Sequence, residues 1–373
     1  MYLNRRNLLK TSGLALGAGL VSPILASPEA VAATPASTTG PLIRLSFNEN
    51  PYGPSPRVAE AIQREFTRFN RYADAAQAQQ LAEQIAAYEK LPVEQVVLGE
   101  ILGLLGAYLA GEGGPSSEFL YSTPGFLALI DAAARLGGVG VPVPLDAQYQ
   151  NDLPALSQKL TSKTRGIYLV NPHNPSGTVN EDKAFKQFLR ESSQRAVAIV
   201  DEAYMEYTND FAERSAVSLV REGANVIVFR TFDKIHGLAG LPIGYTLTPA
   251  PIAAALRRQG AGDAEALGRL NIAAASAALA DTAQVAHTRD AVARERKIWL
   301  AVLRDLKLPH TVARANFVFF DAGQSQPQLG QALRARGVDI GRPYPPYTNW
   351  SRITIGLPEE NLRAQNALRQ ALQ

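Results

Sequence analysis

A lysine in an unusually apolar setting is the first residue of this sequence that could do chemistry. Lys234 lies within the segment 231–240, TFDKIHGLAG, where most neighbours are apolar or glycine. Lysine is rarely buried without a partner, and a desolvated amine can form a Schiff base with an aldehyde. A surface lysine between a strand and a helix is the simpler interpretation, but it leaves the small flanking residues unexplained. We therefore expect amine–carbonyl chemistry at Lys234.

A carboxylate follows a second apolar run. Asp201 comes directly after 196–200, AVAIV, and Tyr204 stands three residues later. A carboxylate at the end of a buried strand is costly unless it is paired. A protonated pyridine nitrogen is a suitable partner, because the ion pair keeps the ring an electron sink, and Tyr204 could bond a phenolic oxygen of that ring. An aspartate that caps the next helix explains Asp201 equally well, so this cluster alone leaves both interpretations open.

The third cluster is a rigid turn, 171–178, NPHNPSGT, which follows the apolar run 166–170. Two prolines and a glycine restrict its backbone and hold the Asn174 amide in place. That amide could donate to a phenolate oxygen. Asn-Pro pairs are common in simple turns, but the whole string is much more specific than one pair.

The three clusters need elements that bring them together, and the chain supplies alternating helices and strands. Short apolar strands between helical stretches predict a mostly parallel sheet covered on both faces. Ligands of such sheets lie beyond the carboxyl ends of the strands, where all three clusters stand. The expected helices are 57–69, 75–88 and 125–136, the expected strands are 118–121, 166–170, 196–200 and 226–229, and strands at 316–320 and 352–355 belong to a smaller α+β region near the end.

Composition excludes several classes of protein. With 373 residues the chain exceeds the usual size of one domain, and 46% hydrophobic with 19% charged residues is ordinary for a soluble globular protein. The net charge of +3 and the lack of a basic run paired with aromatics predict no nucleic-acid partner. The absence of cysteine excludes disulfides and thiol nucleophiles, and the four scattered histidines predict no metal site.

The N-terminus has the pattern of a targeting segment. The string 4–10, NRRNLLK, is followed by the apolar run 12–25 and by an A-x-A pattern at 30–32, which together predict a twin-arginine signal peptide, export by the twin-arginine machinery and a periplasmic location. A membrane anchor is the alternative. The run contains three glycines and a proline and is shorter than the roughly 20 apolar residues of a span, so we expect no stable anchor.

Taken with two further strings, the clusters resemble the active-site motifs of fold-type I enzymes that use pyridoxal 5′-phosphate (PLP), in the class I/II aminotransferase family. The further strings are 46–55, SFNENPYGPS, and 352–356, RITIG, and the likeness is greatest to histidinol-phosphate aminotransferases. It extends from Leu45 to the end, with Asp201 27 residues after Asn174, Lys234 33 residues later and Arg352 another 118 residues on. Four motifs in this order are far more specific than any one of them.

The resemblance implies an α/β fold. Its large domain has a mostly parallel seven-stranded sheet sandwiched by helices, and a smaller α+β domain accompanies it. On this basis we expect a signal peptide over 1–32 and a linker with an N-terminal segment over 33–71 that contributes to the small domain and the substrate site. The PLP-binding domain is expected over 72–250, and an interdomain helix with the small C-terminal domain over 251–373.

The resemblance also implies a role for each matching residue. Lys234 forms the Schiff base and moves the proton between the substrate Cα and the cofactor C4′, Asp201 pairs with the ring nitrogen, and Arg352 grips the substrate carboxylate in bidentate fashion. The other implied cofactor contacts are Tyr204 and Asn174 at the phenolic oxygen, Phe126 stacked on the ring and Tyr72 at the phosphate of the other subunit of a homodimer; the other substrate contacts are Asn50, Tyr52 and Arg342. Further candidates for the phosphate end are Thr231, Glu100, Ile101 and His236.

The sequence departs from the family pattern at the phosphate end. Pro242 stands where the family has an arginine eight residues after the lysine, Asp233 replaces the usual serine, and 99–103, GEILG, replaces a glycine- and serine-rich loop. Backbone N–H groups at a helix start can still hold a phosphate. Glu100 and Asp233 are nonetheless unfavourable near a dianion, unless they point away or meet a cation such as protonated His236.

The predicted function is that of a PLP-dependent aminotransferase, a transferase of nitrogenous groups. It would use an amino donor, either an amino acid or a histidinol-phosphate-like amine, and a 2-oxo acid acceptor. A PLP-dependent oxidase, racemase or lyase on the same fold is the alternative within enzymes. The alternative outside them is a PLP-binding protein that has lost catalysis. The joint presence of the five motif residues at 174, 201, 204, 234 and 352 speaks against that second alternative.

Overall fold

The computed structural model describes residues 41–373, so the predicted signal peptide (1–32) and the beginning of the predicted linker lie outside the described residues. The strands are β1 (Ile43–Leu45), β2 (Val96–Leu98), β3 (Glu118–Thr123), β4 (Val139–Pro144), β5 (Thr164–Val170), β6 (Val197–Asp201), β7 (Val226–Thr231), β8 (Gly244–Leu247), β9 (Phe317–Asp321), β10 (Val338–Ile340) and β11 (Trp350–Thr354). The helices are α1 (Pro56–Glu65), α2 (Ala75–Glu89), α3 (Leu102–Gly113), α4 (Ala128–Ala134), α5 (Leu153–Lys159), α6 (Asp182–Ser192), α7 (Phe211–Arg214), α8 (Val217–Arg221), α9 (Ala250–Arg258), α10 (Ala264–Leu267), α11 (Arg269–Ala280), α12 (Thr282–Asp305), α13 (Gln326–Arg334) and α14 (Pro358–Ala371).

A seven-stranded sheet forms the centre of the described chain, with strand order β2-β8-β7-β6-β5-β3-β4. Neighbouring strands from β4 to β7 pair in parallel, whereas β8 is antiparallel to both β7 and β2. The α/β fold with a mostly parallel seven-stranded sheet is confirmed. The middle strands are apolar on both faces because helices cover both sides of the sheet.

Successive residues of β6 pack into two different hydrophobic clusters on opposite faces of the sheet. Ile199 packs into the cluster that contains residues of α3 and α12, whereas Ala198 and Val200 pack into the cluster with residues of α2, α6 and α11. This alternation is the period of two expected of a strand. Burial on both faces leaves the strand ends as the places where polar side chains can be tolerated.

The predicted strands are confirmed, and β3, β6, β7 and β9 end one or two residues later than expected. Asp201 is the last residue of β6 and Thr231 the last residue of β7. Asp201 lies opposite Val170 of β5 on one side and Phe229 of β7 on the other. The carboxyl ends of these three strands therefore meet at one edge, as the parallel arrangement requires.

Some elements differ from the sequence prediction. The helix expected over 125–136 extends only over Ala128–Ala134. Strands β2 and β8 were not expected because they are short, and β4 because it contains two prolines. A strand with prolines is tolerated at the edge of a sheet, where fewer ladder hydrogen bonds are needed, and β4 is the edge strand.

Two small sheets lie outside the large one. β1 pairs in parallel with β10, and β9 pairs antiparallel with β11. The first pairing holds the N-terminal segment beside the C-terminal part of the chain, although almost 300 residues separate them. The predicted domain boundaries at 71/72 and 250/251 stay predictions. Within residues 41–373 there is no helix with the length and apolar character needed to cross a bilayer.

A buried ionic network lies next to the carboxyl ends of β6 and β7. Arg230 of β7, with a side chain only 3% exposed, lies 2.8 Å from Glu89 Oε1 and 3.0 Å from Glu202 Oε2. Tyr245 donates a further hydrogen bond to Glu89 over 2.7 Å. Buried charges persist only when they are paired and fully hydrogen-bonded. Because Glu202 directly follows Asp201, this network ties the end of β6 to β7.

Candidate active site

A cavity of about 510 Å³ opens at the carboxyl edge of the large sheet. Its wall is made by the ends of β5, β6 and β7, the loop before α3, the N-terminal segment after β1 and the C-terminal strands. It brings together nine of the sequence-predicted residues: Glu100, Phe126, Asn174, Asp201, Tyr204, Thr231, Lys234, Arg342 and Arg352.

Asp201 lies at the floor of the cavity and is only 3% exposed. Burial raises the pKa of its carboxyl, while hydrogen bonds from the Tyr168 hydroxyl (2.8 Å) and the Ala203 N–H (3.0 Å), together with the charge of Lys234, oppose that shift. A carboxylate held here gains most from a cationic partner. The backbone of the next turn accounts for only one of its bonds, so helix capping alone does not explain Asp201.

Tyr204 presents its hydroxyl to the cavity between two amide donors. Its oxygen accepts hydrogen bonds from Asn48 Nδ2 (3.1 Å) and Asn174 Nδ2 (3.4 Å). The ring is 5% exposed and packs edge-on against Phe317, with centroids 5.2 Å apart. Because both neighbours donate to it, the hydroxyl proton of Tyr204 is free to be donated to a ligand oxygen in the cavity.

The loop that carries Lys234 is fixed by the N-terminal segment. Asn50 donates from Nδ2 to the Ile235 carbonyl over 2.8 Å. Gly237 has φ +73°, and a Cβ there would lie 2.6 Å from the Gly53 carbonyl carbon. Only glycine combines that backbone conformation with so close an approach. The two motifs thus pack directly against each other and hold Lys234, which is half-buried, at the cavity.

Arg352 reaches the cavity from β11 and is 6% exposed. Its Nη1 donates to Asn174 Oδ1 (2.7 Å) and its Nη2 to the Ser46 carbonyl (2.6 Å). Its Nε is buried without a hydrogen-bond partner. At position 341 a Cβ would lie 3.4 Å from that Nε, so Gly341 leaves room beside it. The partners of the two terminal nitrogens are neutral oxygens, so the charge of the guanidinium at the cavity suits a ligand carboxylate.

The end of the cavity away from Arg352, called the phosphate end below, carries the carboxyls of Glu100 and Asp233. The protein around Glu100 desolvates its carboxyl and raises its pKa to about 7, with the charges of Asp233 and Asp201 adding to the shift and a Thr231 hydrogen bond and Lys234 opposing it. Burial also raises the pKa of Asp233, whose N–H donates to Thr231 Oγ1 over 3.0 Å.

Five predicted site residues are not brought to the cavity wall. His236 instead pairs with Glu206 (Nε2 to Oε1, 3.4 Å), so it does not neutralise the carboxyls at the phosphate end. Asn50 braces the Lys234 loop as described above. The others lie as follows: Ile101 is buried in the core before α3, Tyr52 is half-buried with its ring edge-on to His287, and Tyr72 is 76% exposed. Their roles stay predictions.

Several cavity residues were not predicted. Asn48 is the clearest: it has φ +57°, is 1% exposed, and bonds Tyr204 and Thr354. An asparagine that adopts the left-handed conformation is uncommon, but a sequence does not reveal which asparagine of a turn does so. Further examples are Ser46, Phe47, Asp339, Ile340 and Tyr344 on the wall and Tyr168 beneath Asp201.

The part of the cavity formed by Lys234, Asp201 and Tyr204 is called the ring end. Its polar groups fit a pyridine aldehyde such as PLP. The amine of Lys234 suits the aldehyde, buried Asp201 suits a protonated ring nitrogen, and the hydroxyl of Tyr204 suits the phenolic oxygen. Phe126, 46% exposed and on the cavity wall, offers an aromatic face. Within residues 41–373, no cluster of three or more His, Cys, Asp or Glu could hold a metal ion.

The chain matches a known protein family over most of its length. The family model for aminotransferase class I and II matches residues 40–367. A histidinol-phosphate aminotransferase of Symbiobacterium thermophilum is 34% identical over 339 residues, which is 89% of this chain and 91% of the relative. An aromatic amino acid aminotransferase of Streptomyces avermitilis is 33% identical over 331 residues, covering 88% and 90%.

Solved structures agree with the fold. The histidinol-phosphate aminotransferase of Sinorhizobium meliloti, solved in complex with PLP, superposes with a TM-score of 0.80 at 28% identity and covers 89% of this chain and 90% of its own. The aspartate aminotransferase of Thermus thermophilus, at 19% identity and a TM-score of 0.74, shares the fold over 89% of this chain and 92% of its own.

Proposed function

Since this chain belongs to the aminotransferase class I and II family and is a PLP-dependent aminotransferase, we propose that its amino donor is an α-amino acid with an aromatic side chain. The observation that carries this proposal is Arg352, which lines the cavity beside the Tyr344 ring and whose terminal nitrogens bond the neutral oxygens of Asn174 and Ser46. A substrate carboxylate facing that guanidinium would form a charge-assisted hydrogen bond.

The residues at the ring end hold the cofactor. Bound PLP supplies an aldehyde that takes up the amino group and a protonated ring that withdraws electrons from the Cα–H bond. Lys234 holds the aldehyde end, Asp201 keeps the ring nitrogen protonated, and Tyr204 donates to the phenolic oxygen. With PLP bound, the Lys234 amine would be placed to carry a proton between the substrate Cα and the cofactor C4′.

Aromatic side chains surround the substrate end. Phe47, 64% exposed, follows Ser46, whose carbonyl accepts from Arg352. The guanidinium carbon of Arg352 lies 5.4 Å from the Tyr344 ring centroid. Aromatic rings next to a carboxylate anchor suit a flat apolar side chain. The similarity to an aromatic amino acid aminotransferase supports the same donor class.

A histidinol-phosphate-like amine is the second candidate. Arg342 lines the cavity beside Arg352, with its guanidinium carbon 4.7 Å from the Tyr344 ring centroid, and two arginines could share a phosphate. A single-turnover screen separates the candidates: phenylalanine, tyrosine or tryptophan should convert the bound cofactor to its amine form faster than histidinol phosphate. Faster reaction with histidinol phosphate would favour the second candidate.

Replacing Arg352 by glutamine should weaken the use of amino acids specifically. We expect kcat/KM for phenylalanine to fall on the order of 10²–10³-fold, because truncating a buried hydrogen-bonded charge costs about 2–5 kcal/mol. Phenethylamine, which lacks the carboxylate, should react with the variant and the parent at rates within a few-fold of each other. Arg352→Lys keeps the charge and should recover part of the loss.

Arg342→Gln is the matched control at the same rim. Its side chain is exposed, so its loss should change kcat/KM for phenylalanine far less than Arg352→Gln. Equal losses in both variants, or an Arg352→Gln variant that treats phenylalanine like the parent, would remove the carboxylate-binding role.

We also propose that the enzyme is a homodimer. Phe66, Phe69 and Tyr72 are 53%, 59% and 76% exposed, and the Phe66 and Phe69 rings lie 5.1 Å apart. Neighbouring exposed aromatics are typical of contact surfaces. Sedimentation analysis should give about twice the chain mass, and a monomer at micromolar concentration would contradict the proposal.

Export through the twin-arginine route is a further part of the proposal, and it depends on residues outside the described range. The paired arginines Arg5 and Arg6 precede the apolar run, and this route carries folded proteins, which suits an enzyme that acquires its cofactor before export. Cell fractionation should find the protein in the periplasm, and Arg5→Lys with Arg6→Lys should retain it in the cytoplasm. Periplasmic protein in the double variant would contradict this route.

A further inference from the structure

The order of the strands decides which way a bound PLP ring faces. Asp201 ends β6, Asn174 follows β5 and Thr231 ends β7, and β5 and β7 are the two neighbours of β6 in the sheet. The phenolic oxygen on C3 and the phosphate arm on C5 leave opposite edges of the pyridine ring. With the ring nitrogen at Asp201 and the C3 oxygen at Asn174, the phosphate arm points towards β7, β8 and β2.

That end of the cavity offers little positive charge. Among the described residues that line the cavity, the cations are Lys234, Arg342 and Arg352. Arg352 bonds Asn174 on the opposite side of the ring, and Arg342 stacks on Tyr344 beside it. Lys234 is committed to the aldehyde. The start of α3 at Leu102 still provides backbone N–H groups that can bind a phosphate.

The same end carries Glu100, whose side chain is exposed to the open cavity. A Cβ at Gly244 of β8 would lie 2.7 Å from Glu100 Oε1, so one side of the carboxyl rests against this strand. Thr231 and Asp233 approach it from the end of β7, Lys234 from the following loop and Asp201 from β6. A dianionic phosphate beside an ionised carboxylate in this pocket would be strongly repelled.

We propose that Glu100 takes up a proton when PLP binds and donates a hydrogen bond to the phosphate, so that affinity for the phosphorylated cofactor falls as the pH rises above neutrality. The proposal rests on PLP as the cofactor of this chain. A protonated carboxyl replaces a repulsive charge with a hydrogen-bond donor, and a donor is what this chain lacks at Pro242, where the family has an arginine. Glu100 is therefore a specificity-determining residue for the cofactor.

The direction of the pH effect follows from the raised pKa of Glu100, about 7 in the cofactor-free protein. A neighbouring phosphate raises that pKa further, so the bound state holds one proton more than the free state above pH 7. The affinity for PLP is highest below neutrality. It falls as the pH rises, by up to about tenfold per pH unit when one proton is taken up on binding. The phosphate itself, with a second pKa of about 6, is already dianionic there.

The test compares two ligands on a protein that cannot react with them. Lys234→Ala binds PLP and pyridoxal without a covalent bond, and both ligands share the same ring titrations. The dissociation constants are measured by ligand absorbance or protein fluorescence between pH 6.5 and 8.5. We expect the preference for PLP over pyridoxal to fall roughly fivefold to tenfold between pH 7.5 and 8.5.

Two variants in the Lys234→Ala background isolate the group responsible. Glu100→Gln should make the preference for PLP nearly independent of pH and strengthen PLP binding at pH 8.5. Asp233→Asn is the matched control, since it removes a charge from the same end and should strengthen PLP binding by a similar factor at every pH in the range. A pH-independent preference in the parent, or an unchanged slope in Glu100→Gln, overturns the proposal. The parent alone supplies the first of these outcomes, even where a variant fails to fold.

Discussion

Replacement of Lys234 by alanine is expected to abolish transamination while the protein still folds and binds PLP. A positioned general acid–base contributes about 10²–10⁴-fold to a rate, and loss of covalent attachment adds to this, so single-turnover conversion of phenylalanine should fall by about 10⁴-fold or more. The measurement is stopped-flow absorbance of the bound cofactor. Because Lys234 is half-buried and lies outside the strands and helices, its truncation should leave the unfolding temperature of the cofactor-free protein nearly unchanged.

Two controls make the Lys234 result specific. Added small amines such as methylamine should restore part of the rate, since they supply a base in the space left by the side chain. Borohydride reduction of the parent, followed by peptide mapping, should place the cofactor on Lys234. A label on another side chain, or a Lys234→Ala enzyme with parental turnover, would refute the assignment.

Asp201→Asn is expected to have the next largest effect. Removing one partner of a buried ion pair costs about 3–5 kcal/mol, which corresponds to a loss in kcat on the order of 10²–10³-fold if the ring nitrogen is no longer kept protonated. The cofactor-free protein should respond in the opposite direction. Burial raises the pKa of Asp201, so ionising it at neutral pH costs stability, and the neutral amide avoids that cost. The unfolding temperature at pH 7 should therefore stay the same or rise.

Tyr168→Phe is the matched control for Asp201. It removes one hydrogen bond to the same carboxylate, which is worth about 0.5–1.5 kcal/mol, so kcat should fall by about tenfold or less. An Asp201→Asn enzyme as active as Tyr168→Phe would show that the carboxylate does not govern the charge of the ring. A stabilised but nearly inactive Asp201→Asn enzyme is the expected pattern for a residue placed for catalysis.

The residues at the strand ends could be predicted because their positions follow from local rules. Asn174, Asp201 and Lys234 each come directly after or soon after an apolar run, and parallel strands place such ends at one edge of the sheet. In the structure all three line one cavity. Their roles, in contrast, came from the resemblance of the surrounding strings, since an isolated aspartate or Asn-Pro turn has simpler explanations.

Contacts between distant segments could not be predicted in the same way. His236 stands two residues from Lys234, yet it pairs with Glu206 and not with the carboxyls of the phosphate end. Asn48 and Asn50 occur in one short string, but Asn48 reaches Tyr204 while Asn50 holds the carbonyl of Ile235. Which of two nearby side chains faces a cavity depends on backbone direction and packing, and a local pattern carries no information about either.

The sequence by itself determined the fold class, the family and the positions of Asn174, Asp201 and Lys234 after their strands. Hydrophobic periodicity and the order of motifs can be seen in the linear sequence without knowledge of the fold. Only the tertiary structure decided the chemical state of the groups in that site. It placed the Glu100 carboxyl against β8, left Arg352 Nε without a partner, and placed Asn48 beside Tyr204. Charge and hydrogen-bonding depend on what lies within a few ångströms in space, and those neighbours come from segments up to 300 residues apart.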